Sequence, residues 1–307
     1  MKARHYIEYG LAVALRALVF LLPRRAAIWC GRRLGDLFYV LDLRHRREVM
    51  ANLDLAFGEE KSLADKRRIA RGSYRHFGGI FFDFLRSPTL SARKIERIVE
   101  MRGWENLEEA YGRGKGVLIL TAHYGFWELM GVAHGFLGRP MSVIARHLDN
   151  PLLERMLHRY RTRSGNTVVY KQNAVKEIFR TLRRNEAAGV LIDQNISPRQ
   201  GVFVDFFGVP ASTTPILSAV ALKSGAPIVP AFTEPLPGGR WRFIYEPAIE
   251  VSGGGDRSEA IRAITQQCTA VIERYVRRRP DLWLWMHRRW KARPPEESAG
   301  GSEAADG

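Results

Sequence analysis

Two side chains five positions apart, His123 and Glu128, stand where a hydrophobic run ends. Val117, Leu118, Ile119 and Leu120 read as a strand buried on both faces. The residues that follow, from Thr121 through Gly125 to Trp127, turn abruptly polar and aromatic. In an open α/β sheet, ligands sit outside the carboxyl ends of such strands. At about 100° per residue, five steps along one straight helix would set the two side chains roughly 140° apart. They meet only if His123 lies on the turn before a helix and Glu128 in its first turns, with Gly125 letting the backbone bend. A histidine held by a carboxylate at a strand end suits a general base acting on a hydroxyl. A lone histidine there serves equally well as a structural residue, so the pair needs support from elsewhere. Metal binding is not expected, because the helical zinc pattern is His-Glu-x-x-His and no histidine sits four residues from His123.

Further candidates lie downstream. Arg161 and Arg163 close an expected helix at residues 151–163, where each is either a solvated charge or a clamp for an anion. Asp193 and Gln194 end a very apolar strand. A carboxylate at a buried strand end is costly unless paired, so Asp193 is expected to reach the cleft of His123 with an arginine as its partner. The glycine- and aromatic-rich stretch 197–213 reads as a lid, and Phe203, Phe206 and Phe207 are candidates for the wall of a hydrophobic slot. Near the end, Trp283, Trp285 and Trp290 are interleaved with Arg288, Arg289, Lys291 and Arg293. That mixture fits a membrane interface or a phosphate-rich ligand better than a solvated face.

These residues need a scaffold, and 307 residues, 46% of them apolar, supply a core for it. Lys and Arg number 48 against 32 Asp and Glu, a formal net charge of +16, which favours anionic lipid, an acidic protein or nucleic acid. Cys30 and Cys268 stand far apart in no paired motif, so no disulfide framework is implied. Short apolar runs at 142–146, 167–170, 189–193, 227–232 and 241–245 alternate with helical patterns at 151–163, 174–184 and 215–224. A longer helical stripe covers 257–278, and Ser62 opens a helix to about Leu85. The fold class is therefore α/β, with a mostly parallel central sheet flanked by helices. Residues 1–24 carry an apolar stretch somewhat shorter than the ~20 residues that span a bilayer, with basic flanks and no small-residue cleavage site. They are expected to form an uncleaved membrane anchor, spanning at a tilt or lying in the interface with Arg16 snorkelling. A catalytic domain over 25–295 and a disordered acidic tail over 296–307 complete the expected organisation.

With these features in place, the chain resembles the bacterial lipid A late acyltransferases, the lauroyl/myristoyl transferase family within the lysophospholipid acyltransferase group. Four places carry the resemblance: His123 with Glu128; Asn150, Pro151, Leu152 and Leu153 followed by Arg161 and Arg163; Asp193 and Gln194 with the loop from Val202 to Thr213; and the run Trp285 to Pro294. The resemblance implies a glycerolipid acyltransferase-like fold, a His123/Glu128 catalytic pair, and supporting roles for Arg161 and Asp193. Arg163, Gln194, Phe203, Phe206, Phe207, Arg288 and Arg289 are assigned to substrate binding. It also implies an acyl-(acyl carrier protein) thioester as co-substrate with no other cofactor, an anionic glycolipid acceptor, and a place at the inner membrane with the active site facing the cytoplasm. The expected reaction is direct acyl transfer, with Glu128 fixing the imidazole of His123. The sequence does not separate a lipid A type acceptor from a lysophospholipid, an amino-acid lipid or an inositol mannoside lipid. A non-catalytic basic protein on nucleic acid or anionic membrane is the rival from another class. It leaves the His123/Glu128 spacing unexplained, and nucleic acid is not an expected partner.

Overall fold

The computed structural model describes residues 2–170, 172, 174–251 and 255–294, so the acidic tail expected at 296–307 lies outside the described residues. Four helices lead the chain: α1 (Ala3–Leu21), α2 (Arg24–Leu41), α3 (Leu43–Phe57) and α4 (Leu63–Leu85). Pro23 stands between the first two, and a proline cannot continue a helix without losing a backbone donor. Ser62 caps α4 by accepting the Asp65 amide, as its position before an apolar-periodic segment predicts. The aromatic second half of α4 packs against α2 at backbone distance. A Cβ on Gly35 would fall 2.2 Å from the Tyr74 carbonyl oxygen, and one on Gly31 would fall 2.3 Å from that of Gly78. Glycines on both helices are what allow the crossing.

The remainder alternates strands and helices. Helix α5 (Ala92–Ile98) leads into β1 (Val99–Arg102), and α6 (Trp104–Gly112) precedes β2 (Val117–Thr121). Then follow α7 (Trp127–Phe136), β3 (Met141–Ala145), α8 (Pro151–Thr162), β4 (Thr167–Tyr170), α9 (Ala174–Arg183) and β5 (Ala187–Leu191). After a hairpin of β6 (Val202–Phe206) and β7 (Val209–Thr213) come α10 (Ile216–Ser224), β8 (Ile228–Leu236), β9 (Arg240–Tyr245) and α11 (Arg257–Arg278). Seven strands form one sheet in the order β1-β9-β8-β2-β5-β3-β4, parallel throughout except for the β8–β9 pair. The expected α/β class holds.

Strand β2 lies inside the sheet between β5 and β8. Its side chains alternate faces. Leu118 and Leu120 join the core under α3, α9, α10 and α11, with Val49, Ile178, Leu217 and Ile272. Val117 and Ile119 join the opposite core under α5, α6 and α7, with Ile95, Leu107 and Leu129. At roughly 25 cal/mol per Å², burial on both faces is the main term holding the strand inside the sheet.

Two expectations are corrected. The stretch 197–213 is not a simple loop: its second part is the β6–β7 hairpin, turned through Phe207 (φ +61°) and Gly208 (φ +73°). Two consecutive positive φ values match the two-residue turn that suits strand twist. Its Phe-Gly sequence lacks the usual Asn-Gly signal. The N-terminal stretch is helical, yet among the described residues no helix is long and apolar enough to cross a membrane. The spanning form of the expected anchor therefore has no support in α1. Arg16 sits over the rings of Phe20 and Tyr160, 5.4 and 5.9 Å from their centroids, against the protein.

Candidate active site

Past Thr121, the backbone turns sharply and is fixed from four sides. The Leu284 amide donates to the His123 carbonyl at 3.1 Å, and the Gly125 amide donates to Leu282 O at 2.9 Å. His76 on α4 donates its Nε2 proton to the Gly125 carbonyl at 2.9 Å, and the Phe126 amide meets Thr233 Oγ1 at 2.5 Å. Burial pushes the His76 imidazole down to about 4, so it serves as a neutral donor. Gly125 has φ +61°, and a Cβ there would lie 2.0 Å from the Thr233 carbonyl oxygen, so no other residue fits without displacing β8.

The sheet register decides the partner of His123. Thr121 pairs with Leu191 across β2 and β5, and continuing two residues along both strands sets His123 beside Asp193. Nδ1 of His123 donates to Asp193 Oδ1 at 2.9 Å, and the His123 backbone amide donates to Oδ2 at 2.8 Å. The indole Nε1 of Trp283 gives Oδ2 a second donor at 2.8 Å. With Nδ1 carrying the proton, Nε2 carries the lone pair, and it lies 3.3 Å from the amide nitrogen of Gln194. Burial alone would raise the Asp193 carboxyl, but the imidazole, the amide and the indole outweigh it and hold Asp193 below the ordinary range. The His123 side chain keeps 21% of its surface open against 2% for Asp193. The Trp127 ring meets the imidazole edge-on at 5.1 Å.

Glu128, in the first turn of α7, is engaged elsewhere. Its carboxylate takes a bidentate pair from Arg161 on α8, Nε at 3.0 Å and a terminal nitrogen on the other oxygen. The expected exchange of partners is thus reversed: Asp193, not Glu128, holds the imidazole, and Glu128, not Asp193, holds the arginine. Burial would lower the Arg161 guanidinium, and the Glu128 charge outweighs it and raises it. Both side chains are mostly buried, and a forked guanidinium–carboxylate pair leaves neither charge unpartnered.

The other expected site residues divide. Gln194 reaches His123 as described. Arg163 caps the end of α8 and is exposed. Phe203 is half-buried on β6, but Phe206 and Phe207 are not the wall of an open slot. They are buried in the core, Phe206 stacked on Trp290 and edge-on to Trp283, and Phe207 against Phe57. Arg289 is also interior, donating to the Ser212 carbonyl at 2.7 Å and to the Thr213 hydroxyl. Burial pushes its guanidinium down to about 10, and the Ser212 carbonyl and Thr213 hydroxyl engage its two terminal nitrogens. It ties the carboxyl-terminal segment to the β6–β7 hairpin. Arg288 is exposed and pairs with Glu48. Trp283, His76 and Thr233, all in direct contact with the turn or its carboxylate, were not legible as site residues: only the sheet register and the helix crossing bring them there.

A family model described as bacterial lipid A biosynthesis acyltransferase matches residues 1–292. The chain belongs to that family. Among relatives of this acyltransferase, the lipid A biosynthesis lauroyltransferase of Escherichia coli (strain K12) is 28% identical over 292 residues, covering 95% of this chain and 93% of the relative. A lipid A biosynthesis acyltransferase of Haemophilus influenzae is 27% identical over 266 residues, 86% and 79% of the two chains. The lipid A biosynthesis myristoyltransferase of Escherichia coli (strain K12) is 24% identical over 299 residues, 96% and 90%. The resemblance to the lipid A late acyltransferases, drawn from His123 with Glu128, the 150–163 segment, Asp193 with the 202–213 stretch and the run Trp285 to Pro294, is borne out as to family, and the chain is an O-acyltransferase.

Proposed function

We propose that this acyltransferase moves a fatty acyl chain from an acyl-carrier-protein thioester to a hydroxyl of a lipid A type glycolipid precursor, with His123 as general base. The observation that carries this reading is the state of the imidazole: Nδ1 is committed to Asp193, so Nε2, approached by the Gln194 amide at 3.3 Å, is the basic nitrogen of a side chain that keeps 21% of its surface open. In the reaction Nε2 takes the acceptor hydroxyl proton as the oxygen attacks the thioester carbonyl. The C–S bond then breaks, and the proton passes from the imidazolium to the departing thiolate. Asp193 keeps the tautomer and stabilises the imidazolium. Acid–base assistance of this kind is worth roughly 10²- to 10⁴-fold. Arg161, held in place by Glu128, offers its charge to the developing oxyanion or to an acceptor phosphate, so Glu128 acts through the arginine.

The protein's place in this proposal is the cytoplasmic surface of the inner membrane. Support comes from the large apolar side chains that α1 and α2 leave exposed, among them Ile7, Leu11, Leu18, Leu21, Trp29, Leu37, Phe38 and Leu41. Arg25, Arg32 and Arg33 on α2 and Arg44 on α3 are exposed as well, and exposed apolar and basic side chains together suit helices lying in the headgroup layer.

The test is His123→Ala in the full chain, assayed for transfer from an acyl-carrier thioester to glycolipid in detergent. A loss of at least about 10²-fold with unchanged melting temperature is expected. Turnover near that of the parent would end the general-base assignment. Mass spectrometry of lipids from a deletion strain identifies the acceptor.

A further inference from the structure

A cleft of about 480 Å³ beside α8 plays no part in the chemistry above. Its walls include His147, which follows β3, Tyr170, which closes β4, and Arg155, His158 and Arg159 on α8. It therefore opens at the carboxyl edge of the sheet, the same edge from which His123 emerges, where open α/β sheets place their ligands.

Three features set its chemistry. The His147 ring lies flat on Tyr170, centroids 3.5 Å apart and planes within 10°, which makes a rigid aromatic surface. The acid in the wall, Glu154, is already engaged: one oxygen takes the Leu148 amide at 2.7 Å and the other the Tyr170 hydroxyl at 2.7 Å. Arg155 and Arg159, one helical turn apart and exposed, have no carboxylate partner among the described residues. Two unneutralised guanidinium groups lining one cleft with an aromatic plate suit a sugar ring carrying a phosphate or carboxylate.

The surroundings point to a lipid head and not a free anion. Helix α8 is joined to α1 through Asn150, whose amide donates to the His5 carbonyl at 2.9 Å and to Glu8 at 2.8 Å. Helix α1 leaves apolar residues exposed, and Leu148 in the wall of the cleft is exposed too. A ligand seated here has an anionic head in the cleft and an apolar surface beside it. Arg161, on the same helix, faces Glu128 at the active site.

We propose that this cleft binds the anionic sugar head of the acceptor lipid, with Arg155 and Arg159 clasping its phosphate or carboxylate and the His147–Tyr170 stack carrying the ring. The proposal rests on the glycolipid acceptor of the preceding section. Held this way, the head sets the position of the hydroxyl relative to His123.

The test is the full chain carrying Arg155→Gln and Arg159→Gln together, compared with Arg155→Lys and Arg159→Lys. Substrates are a phosphorylated lipid A precursor, the same lipid after phosphatase treatment, and an acyl-carrier thioester. The glutamine variant is expected to raise the acceptor KM about tenfold or more, to leave the thioester KM within about twofold, and to stop distinguishing the two acceptors. The lysine variant is expected to recover much of the loss. Both positions are exposed, and a melting curve matching the parent confirms the fold. A rise in the thioester KM with the acceptor KM unmoved would overturn the proposal and assign the arginines to the acidic carrier protein. Unchanged constants for both would overturn it as well. A parent protein that acylates no glycolipid at all removes the functional proposal itself, an outcome distinct from either of these.

Discussion

The indole of Trp283 donates to Oδ2 of Asp193 at 2.8 Å, and the same oxygen accepts the His123 backbone amide, which leaves Oδ1 to the imidazole. Two donors on Oδ2 stop the carboxylate from rotating away from Nδ1. Trp283→Phe keeps an aromatic ring in the core and deletes the donor. A fall in kcat of roughly tenfold is expected, with the KM of both substrates nearly constant, because the change touches orientation and not binding. Steady-state kinetics check this. If kcat stays within twofold, the indole is packing alone.

Asp193 also links the site to stability. Its carboxyl sits below the ordinary range despite burial, because the imidazole, the amide and the indole favour the charged form. A depressed pKa contributes stability that is fully present above the unfolded value, about 3.9, and is lost as pH falls through the lower folded value. Asp193→Asn removes that contribution. The melting-temperature gap between parent and variant is therefore expected to be constant from about pH 7 to 5 and to narrow below about pH 4. Calorimetry across that range decides it, and a gap that widens toward acid would show the sign to be wrong.

Glu128 and Arg161 are expected to behave as a unit. Glu128→Gln strands a mostly buried guanidinium and is expected to cost about 2–3 kcal/mol, somewhat below the roughly 3–5 of a fully buried pair broken on one side. Glu128→Gln with Arg161→Met removes both charges and is expected to restore most of the stability but not the activity. Denaturant melts of the two single variants and the double variant give the coupling. Additive losses would show that the pair contributes nothing as a pair.

Much of this architecture was legible before any coordinates. The unbroken apolar run Val117 to Leu120 marked the central strand, and Ile264, Cys268, Ile272 and Tyr275 marked α11 at helical spacing. The place of His123 on the turn after that strand was legible too. Its partner was not, because closeness along the chain favoured Glu128, whereas a parallel register joins His123 to a residue 70 positions away. Only the pairing of Thr121 with Leu191 makes that contact, and no spacing rule within one strand contains it. The same limit applied to Phe206, Phe207 and Arg289. An aromatic pair beside a glycine reads alike for an open slot and for a hairpin tip folded into the core. A buried arginine is recognisable only once the Ser212 carbonyl and Thr213 hydroxyl around its head are known.

The exposed apolar side chains of α1 and α2 yield the last expectation. Leu11 and Leu18 on α1 and Leu37 and Phe38 on α2 are at least half exposed, and a soluble surface has no use for such a set. Burial of a large apolar side chain in lipid is worth about 1.5–3 kcal/mol, so several together dominate attachment, with the exposed arginines adding about 1 kcal/mol per charge near anionic lipid. Replacing these four residues by Gln is therefore expected to lower partitioning onto vesicles of mixed phosphatidylglycerol and phosphatidylethanolamine by at least about 10²-fold. Raising salt on the parent is expected to lower it far less. Activity on detergent-dispersed substrates is expected to survive, since none of the four touches the His123–Asp193 pair or the Arg155–Arg159 cleft. Flotation assays with parent and variant read the difference directly. Equal flotation of the two would place the membrane contact on another surface of the protein.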